Sequence, residues 1–567
     1  MCGIFALLNN INYKKCDIIK CFLQGTKRGP EHKDFVQIDS ISSFLGFHRL
    51  AINGFNDIKS QQPFFIDNIY LICNGEIYNH KELLKILNIT PKSKSDCEII
   101  IHMYKKYGIE QTLQMLDGVF AFILIDLANN FIFVARDTYG VRPLFINTTN
   151  VYSTNIIKYT IYTFASEIKC LNNIGDNSSE IKQFEPGSYS TFTISTKNKY
   201  QKIFYDNTKI FSAPLAFSNL NTAPLDNYDF ILKNIFMHLE NAVIKRVNNT
   251  DREIACLLSG GLDSSIVCAL VKKHYKGDLH TWSIGLEGSE DLKYAQKVAD
   301  HIGSIHHSIV VNEGEFLSNI SNVILAIESY DTTTVRASVG NWLICKYIKK
   351  MSKAKVIFNG DGSDEVTGGY LYFHAAPDCI EFDKECRKLL SNIHYFDVLR
   401  SDRSISSHGL EARTPFLDRK FVQYYLSIDP KLRHHAGLNK PEKYLLREAI
   451  ELCGNNLLPK EVLWRTKEAF SDGVSKLTKS WYEIIQDYIK NDVFSYLKMS
   501  EDKIIRTLNP YTYNRPRTLE QLYYRDIFKG FFKKLKIEHV LPYFWMPNFV
   551  NATDASARTL DIYKKKI

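Results

Sequence analysis

Two stretches in the second half of the sequence combine residue types that could do chemistry. In SGGLDSS, Ser259–Ser265, adjacent glycines follow the apolar run IACLL. Such a turn, with a helix expected to begin near Ser264, aims several backbone N–H groups at one point and suits a phosphate. It lacks the lysine of a Walker A loop, and a strand-to-helix turn of this composition also serves as a plain connector. Asp263 fits a connector less well, because a carboxylate among phosphate donors makes sense with Mg²⁺ between them. In NGDGSDE, Asn359–Glu365, the acids Asp361, Asp364 and Glu365 crowd the end of a second apolar run. They repel one another unless a cation sits among them, and their spacing does not fit a calcium-binding loop. One strand end for phosphate and one for metal describe the crevice at the carboxyl edge of an open α/β sheet.

The first half offers a different set. Cys2 lies in MCGIFALLNN, Arg49 in HRLAI, Asn74, Gly75 and Glu76 in CNGEIYN, and Asp96 in KSDCEII. The Arg49 guanidinium can hold a carboxylate through two parallel bonds, and Asp96 offers the charge an ammonium needs. A pocket with one of each recognises an α-amino acid. Asn74-Gly75 alone reads as a turn between strand and helix. Three cations, Arg336 in YDTTTVRAS, Lys443, and Lys467 in KEAFSDGV, are ordinary polar-loop residues unless the fold gathers them around a polyphosphate.

The elements that must position these residues fall into two patterns. From Ile4 to about Tyr205 short β-type runs recur, among them Ile4–Leu8, Phe44–Ile52, Tyr70–Cys73, Val119–Asp126 and Phe131–Ala135, with a helix over Lys81–Leu87. Stacked sheets with helices outside are expected. A polar stretch over 206–227 reads as a linker between a first domain, 2–205, and a second, 228–567. In the second, an amphipathic helix through Ile231, Ile235, Leu239 and Val243 precedes strand-like runs at Ile254–Leu258, Thr281–Leu286 and Lys355–Asn359, with a helix over Asp291–Ile302. That alternation predicts a doubly wound parallel sheet.

Composition narrows the function classes. A charged fraction of 23% and an aromatic fraction of 13% are those of a folded globular chain. The net charge of +9 is spread over 71 basic and 62 acidic residues without a basic block interleaved with aromatics, so nucleic acid is not an expected partner. The longest clear apolar run, VFAFILI, is far short of the roughly 18 residues a membrane span needs. Twelve cysteines without a C-x-x-C pair point to reduced thiols and a cytoplasmic setting.

Taken in order, MCGIF, RGPEH, HRLAI, NGEIYN, SDCE, LLSGGLDSS, GDGSDE, EARTPFLD, KEAFSDGV and YFWMPNFVNATDASARTL closely resemble the glutamine-hydrolysing asparagine synthetases over nearly the whole chain. The resemblance implies an N-terminal αββα glutaminase of the N-terminal-nucleophile type and an adenylating synthetase domain. It implies that Met1 is removed and that Cys2 attacks glutamine, with Asn74 and Gly75 holding the oxyanion. Arg49, Glu76, Asp96 and backbone from Leu50, Ala51, Ile52 and Asn53 would bind that substrate. Ser259, Gly260, Gly261, Leu262, Asp263, Ser264 and Ser265 would cradle ATP phosphates, with Leu257, Ile284, Asn359 and Gly360 around adenosine. Asp263 and Asp364 would hold Mg²⁺, Asp361 and Lys467 would serve catalysis, and Arg336 and Lys443 would contact phosphate or aspartate. Glutamine or ammonia, aspartate and ATP are the implied small-molecule partners, and a homodimer is compatible with them.

The family's strand end usually reads Ser-Gly-Glu-Gly-Ser-Asp-Glu, so Asp361 withdraws a carboxylate by about one C–C bond, roughly 1.5 Å. Asn359 and Asn53 also depart from the usual residues. Two rivals follow: a synthetase activating another carboxylate, which the full glutaminase set disfavours, and a non-catalytic binding protein, which the shortened acid motivates.

Overall fold

The computed structural model describes residues 1–153, 156–175, 179–197, 200–212, 227–466, 475, 479–533 and 537–560. Among the described residues the first region holds twelve strands. They are β1 (Gly3–Leu8), β2 (His32–Ile38), β3 (Ser43–Arg49), β4 (Phe64–Ile66), β5 (Ile69–Ile77) and β6 (Gly118–Asp126). The rest are β7 (Phe131–Arg136), β8 (Phe145–Ser153), β9 (Ile156–Ala165), β10 (Glu180–Gln183), β11 (Ser188–Lys197) and β12 (Tyr200–Ile210). They form two six-stranded sheets, ordered β10-β8-β9-β1-β3-β2 and β12-β11-β7-β6-β5-β4, and every recorded pairing within them is antiparallel.

Strand alternation explains the layering. In β1, Ile4, Ala6 and Leu8 face the second sheet, where they meet Ile72, Ala121, Ile123 and Ile125. The alternate residues Phe5 and Leu7 pack outward with Ile18, Cys21 and Phe22 of helix α1 (Lys15–Leu23). On the far side, Phe120, Phe122 and Leu124 of β6 pack against α2 (His80–Leu87) and α3 (Ile99–Met115). Strands buried on both faces carry near-continuous apolar runs, and the result is an αββα sandwich.

The second region opens with helix α4 (Tyr228–Val247), capped by Asn227, whose side chain accepts from the Phe230 N–H. A five-stranded parallel sheet follows: β13 (Ile254–Leu257), β14 (His280–Leu286), β15 (Ile305–Val311), β16 (Val356–Phe358) and β17 (Glu411–Arg413), ordered β15-β14-β13-β16-β17. Helices α5 (Leu262–His274) and α6 (Glu290–Ile302) connect the first three strands. The chain winds outward from β13 to β15 and then returns to place β16 on β13's other side. The order therefore reverses between β13 and β16, the switch point at which open α/β sheets bind ligands.

The fold departs from the sequence expectations at several points. Asn74-Gly75 is no turn: β5 continues through Ile77, and Gly75 pairs with Phe120 of β6. A Cβ on Gly75 would lie 2.7 Å from the Val119 carbonyl oxygen, so glycine is what lets β5 run straight there. Tyr330–Ser338, expected as a polar loop, is the start of the helix Thr332–Met351, capped by Asp331. The helix after SGG starts at Leu262 rather than near Ser264. Strand β12 carries regular structure to Ile210, into the stretch read as linker; residues 213–226 lie outside the described residues, as does Lys467.

Candidate functional sites

The first site lies where β1, β3 and β5 end beside the second region. Cys2 packs against the inter-sheet core, and its thiol donates to the Leu50 carbonyl at 3.5 Å. Burial pushes that thiol's pKa up, with the nearby chain amine opposing the shift. Arg28 Nε donates to the Cys2 carbonyl at 2.9 Å while its Nη1 pairs with Asp402 at 2.7 Å. Met1 is fully buried, its amine donating to the Leu410 carbonyl at 2.9 Å, and burial lowers the amine's pKa to about 5. Asn74 is 1% exposed, and its Nδ2 has no hydrogen-bond partner among the described residues. A buried amide donor left open is suited to an oxygen that a substrate brings.

Arg49 spends its fork on the loop ahead of it: Nη2 donates to the carbonyls of Gly54 (2.6 Å) and Asn53 (3.3 Å), and Nη1 to that of Asp57 (3.5 Å). Glu76 and Asp96, both 3% exposed, converge on one amide: Asn249 Nδ2 donates to Glu76 Oε2 at 2.7 Å and to Asp96 Oδ2 at 3.3 Å. Burial, reinforced by Asp96, raises the Glu76 carboxyl well above the usual range, and Arg413 at 3.2 Å works against that rise. A pair of buried acids calls for a cation.

Asn249 was missed in the sequence, and so was its neighbourhood. The Gly54 N–H donates to Asp251 at 2.8 Å, the Asp251 N–H to the Ile52 carbonyl at 2.9 Å, and Arg252 to the Ala51 carbonyl at 2.9 Å. The loop Leu50–Gly54 is thus docked on the segment that leads into β13. The only sequence signal was a polar run, VNNTDRE, directly before an apolar strand.

The second site is the cleft at the switch point. Of the predicted nucleotide residues, all but Gly260 and Ser265 line it. Ser265 is buried and returns its hydroxyl to the Gly261 carbonyl at 2.7 Å, so its side chain shapes the loop. Gly260 has φ +77°, and a Cβ there would meet the Ala295 nitrogen at 2.5 Å. The two strand-end loops touch: a Cβ on Gly360 would lie 2.8 Å from Asp263 Cβ. Lys443 bridges them, with Nζ 2.6 Å from Asp263 and 2.5 Å from Asp364. Two carboxylates, each in the first turn of a different helix and already sharing one cation, are the oxygen set Mg²⁺ takes when substrate phosphates supply its remaining ligands.

Asp361 pairs through Oδ1 with Arg400 at 2.8 Å, while its Oδ2 is buried without a partner among the described residues. Arg400 also holds Asp397 at 2.7 Å. Tyr370 donates to Glu365 at 2.6 Å, and burial beside Asp397 raises the Glu365 carboxyl well above the usual range. Asn359 donates to Ser401 at 2.6 Å. Arg465, also missed, lies on the Gly260 carbonyl (3.2 Å) and pairs with Asp291 (3.0 Å). Arg336, expected at phosphate or aspartate, is instead 3% exposed and bound to Glu520 and Asp554, and it does not line the cleft.

The profile of the family described as a glutamine amidotransferase domain matches residues 1–228, and that of asparagine synthase matches 235–384 and 380–537. With the αββα sandwich and the parallel-sheet cleft, these matches define a glutamine amidotransferase fused to an ATP-using synthetase. Over 100% of this chain, the asparagine synthetase [glutamine-hydrolyzing] of Gallus gallus is 42% identical and that of Homo sapiens 40%, each across 100% of its own length. That of Bos taurus is 42% identical across 99% of its own length. The chain belongs to the glutamine-hydrolysing asparagine synthetase family. No helix among the described residues is long and apolar enough to cross a membrane.

Proposed function

We propose that this chain converts aspartate, ATP and glutamine to asparagine, AMP, pyrophosphate and glutamate through two sites divided as domains 2–205 and 228–567. The observation that carries the reading is the coexistence of an open buried amide donor at Asn74 with two acids joined by Lys443 at the switch point.

With Met1 removed, the Cys2 α-amine takes the thiol proton and Sγ attacks the side-chain amide carbon of glutamine. Asn74 Nδ2 and the Gly75 N–H stabilise the oxyanion, the C–N bond breaks, ammonia leaves, and water hydrolyses the thioester to glutamate. Glu76 and Asp96 hold the substrate ammonium, and Arg49 exchanges its bonds to the 53–57 carbonyls for the carboxylate end, which it holds with the 50–53 backbone.

In the cleft, the SGG loop and the N-terminus of α5 bind the ATP phosphates. Asp263 and Asp364 would hold Mg²⁺, which when bound neutralises phosphate charge and favours departure of pyrophosphate. A β-carboxylate oxygen of aspartate attacks the α-phosphorus, the bond to the bridging oxygen breaks, and β-aspartyl-AMP forms. Lys443 and Lys467 orient the polyphosphate, so the protein's share is positioning and charge placement. Ammonia then attacks the activated carbonyl, the bond to AMP breaks, and Asp361 Oδ2 accepts the proton lost from nitrogen. Ammonium is no nucleophile, so a dry path between the sites favours transfer.

The test is product analysis with ATP, Mg²⁺, aspartate and either glutamine or ammonium. Asparagine and pyrophosphate with both nitrogen sources are expected; no product with either overturns the enzymatic reading and favours the non-catalytic rival.

A further inference from the structure

The synthetase cleft has a wall that no catalytic motif announces. Trp545, Pro547, Ala555, Ala557 and Leu560 line it, all from the segment after the helix Leu519–Phe531. Over 541–560 that segment holds only one short helical turn, Ala557–Thr559, so backbone hydrogen bonding does little to fix its course. Side chains from the body of the domain hold it instead. Asp331, while capping its own helix, accepts from the Trp545 N–H at 2.8 Å, and Asn548 donates to Glu385 at 2.9 Å. The Trp545 ring sits 5.6 Å from that of Tyr370, which donates to Glu365 in the cleft.

The strongest attachment is at Arg336. Its Nη1 and Nη2 donate to the two Asp554 oxygens, each at 2.8 Å. Its Nε (2.9 Å) and Nη2 (2.5 Å) also reach Glu520, which is fully buried. A bidentate guanidinium–carboxylate pair fixes direction as well as distance. Glu520 anchors Arg336 from the helix side, so Asp554 is the half of the pair that ties down the segment. Its neighbour Ala555 faces the cleft, so a change in the Asp554 position moves the wall directly.

We propose that the Asp554–Arg336 pair is a latch that holds residues 545–560 as one wall of the ATP and aspartate cleft, which makes both side chains positioning residues for the synthetase reaction. The latch rests on the reading of this cleft as the synthetase site. Aspartate and ATP would then be gripped between the strand-end loops and the carboxyl-terminal segment.

The test compares wild type, Asp554→Ala and Asp554→Glu. Ammonia-dependent kinetics should show a fivefold or greater rise in KM for ATP or aspartate in Asp554→Ala, with kcat within threefold, and partial recovery in Asp554→Glu. The rate of glutamine hydrolysis, read separately, should stay within twofold and reports a folded protein. Limited proteolysis should release the carboxyl-terminal segment faster from Asp554→Ala, and ATP with aspartate should slow that release in wild type. Unchanged KM values in Asp554→Ala, or release at the wild-type rate, overturn the latch. If wild type itself forms no product, the proposed function falls, and the proteolysis comparison still decides whether Asp554 ties the segment down.

Discussion

At Cys2 the thiol and the general base assigned to it belong to different residues while Met1 is present. The amine lies on Met1, bound to the Leu410 carbonyl, and the buried thiol's pKa is raised. Removing Met1 gives Cys2 its own amine, so intact mass should lack one methionine. Cys2→Ala should abolish asparagine formation from glutamine and leave formation from ammonium within twofold; equal loss of both contradicts the two-site division. Asp361 makes the complementary case in the cleft. One oxygen is held by Arg400 and the other is buried and open. Asp361→Asn keeps the shape and removes the proton acceptor, and should lower ammonia-dependent kcat tenfold or more, about 1.4 kcal/mol in the barrier. Asp361→Glu restores the reach usual in the family and should retain turnover. A larger loss in Glu than in Asn would mean that this site is shaped to the shorter acid.

Among elements, the segment Asn249–Arg252 joins the two halves of the chemistry, since it receives the Leu50–Gly54 loop on one side and enters β13 on the other. Asn249→Ala removes donors from two buried acids, and hydrogen bonds to charged groups contribute about 1.5–3 kcal/mol. The glutamine KM should therefore rise about tenfold or more, while ammonia-dependent synthesis stays within twofold. An equal fall in ammonia-dependent rate would show that Asn249 acts through β13 instead. That segment also shows where sequence reading stops. Strands β1, β6 and β13 were legible because burial on both faces writes continuous apolar runs, and the SGG and GDG loops because they follow such runs. Strands β8 to β12 are rich in Thr, Asn, Tyr and Lys, so most of their length lacks the continuous apolar run that marks a strand in the sequence. Asn74-Gly75 looked like a turn because local composition cannot reveal that β6 lies alongside. Asn249, Arg400, Arg465 and the 545–560 wall come from distant parts of the chain, and only the fold brings them to the sites.

For the whole molecule, the interface between the two regions is a buried network: Arg28 pairs with Asp402 and Arg413 with Glu76 across it, Glu328 accepts from the Ile168 and Lys169 N–H groups, and Arg403 and Arg413 hold Glu328 and Glu411 within the second region. Burial raises the pKa values of Glu328, Asp402 and Glu411, but their basic neighbours win and leave all three below the usual range. Their contribution to stability is present above about pH 4, the ordinary carboxylate value, and is lost as pH falls below it. Buried histidines act earlier. Burial lowers His48, whose ring stacks on Phe22 with centroids 4.0 Å apart, to about 3, and His408 likewise to about 3. Each is neutral in the folded chain and takes up a proton near pH 6.5 once unfolded. The unfolded state therefore binds more protons between about pH 6.5 and 3, and folding stability falls as pH drops through that window. The slope reaches at most about 1.4 kcal/mol per pH unit for each histidine. Denaturant midpoints should accordingly decline from pH 7 to pH 5, before the interface carboxylates titrate. His48→Phe, which keeps an aromatic ring on Phe22 and cannot protonate, should flatten that decline by about one histidine's share. A flat midpoint down to about pH 4.5 with a steep fall below it, unchanged in His48→Phe, would instead assign acid sensitivity to the interface ion pairs alone.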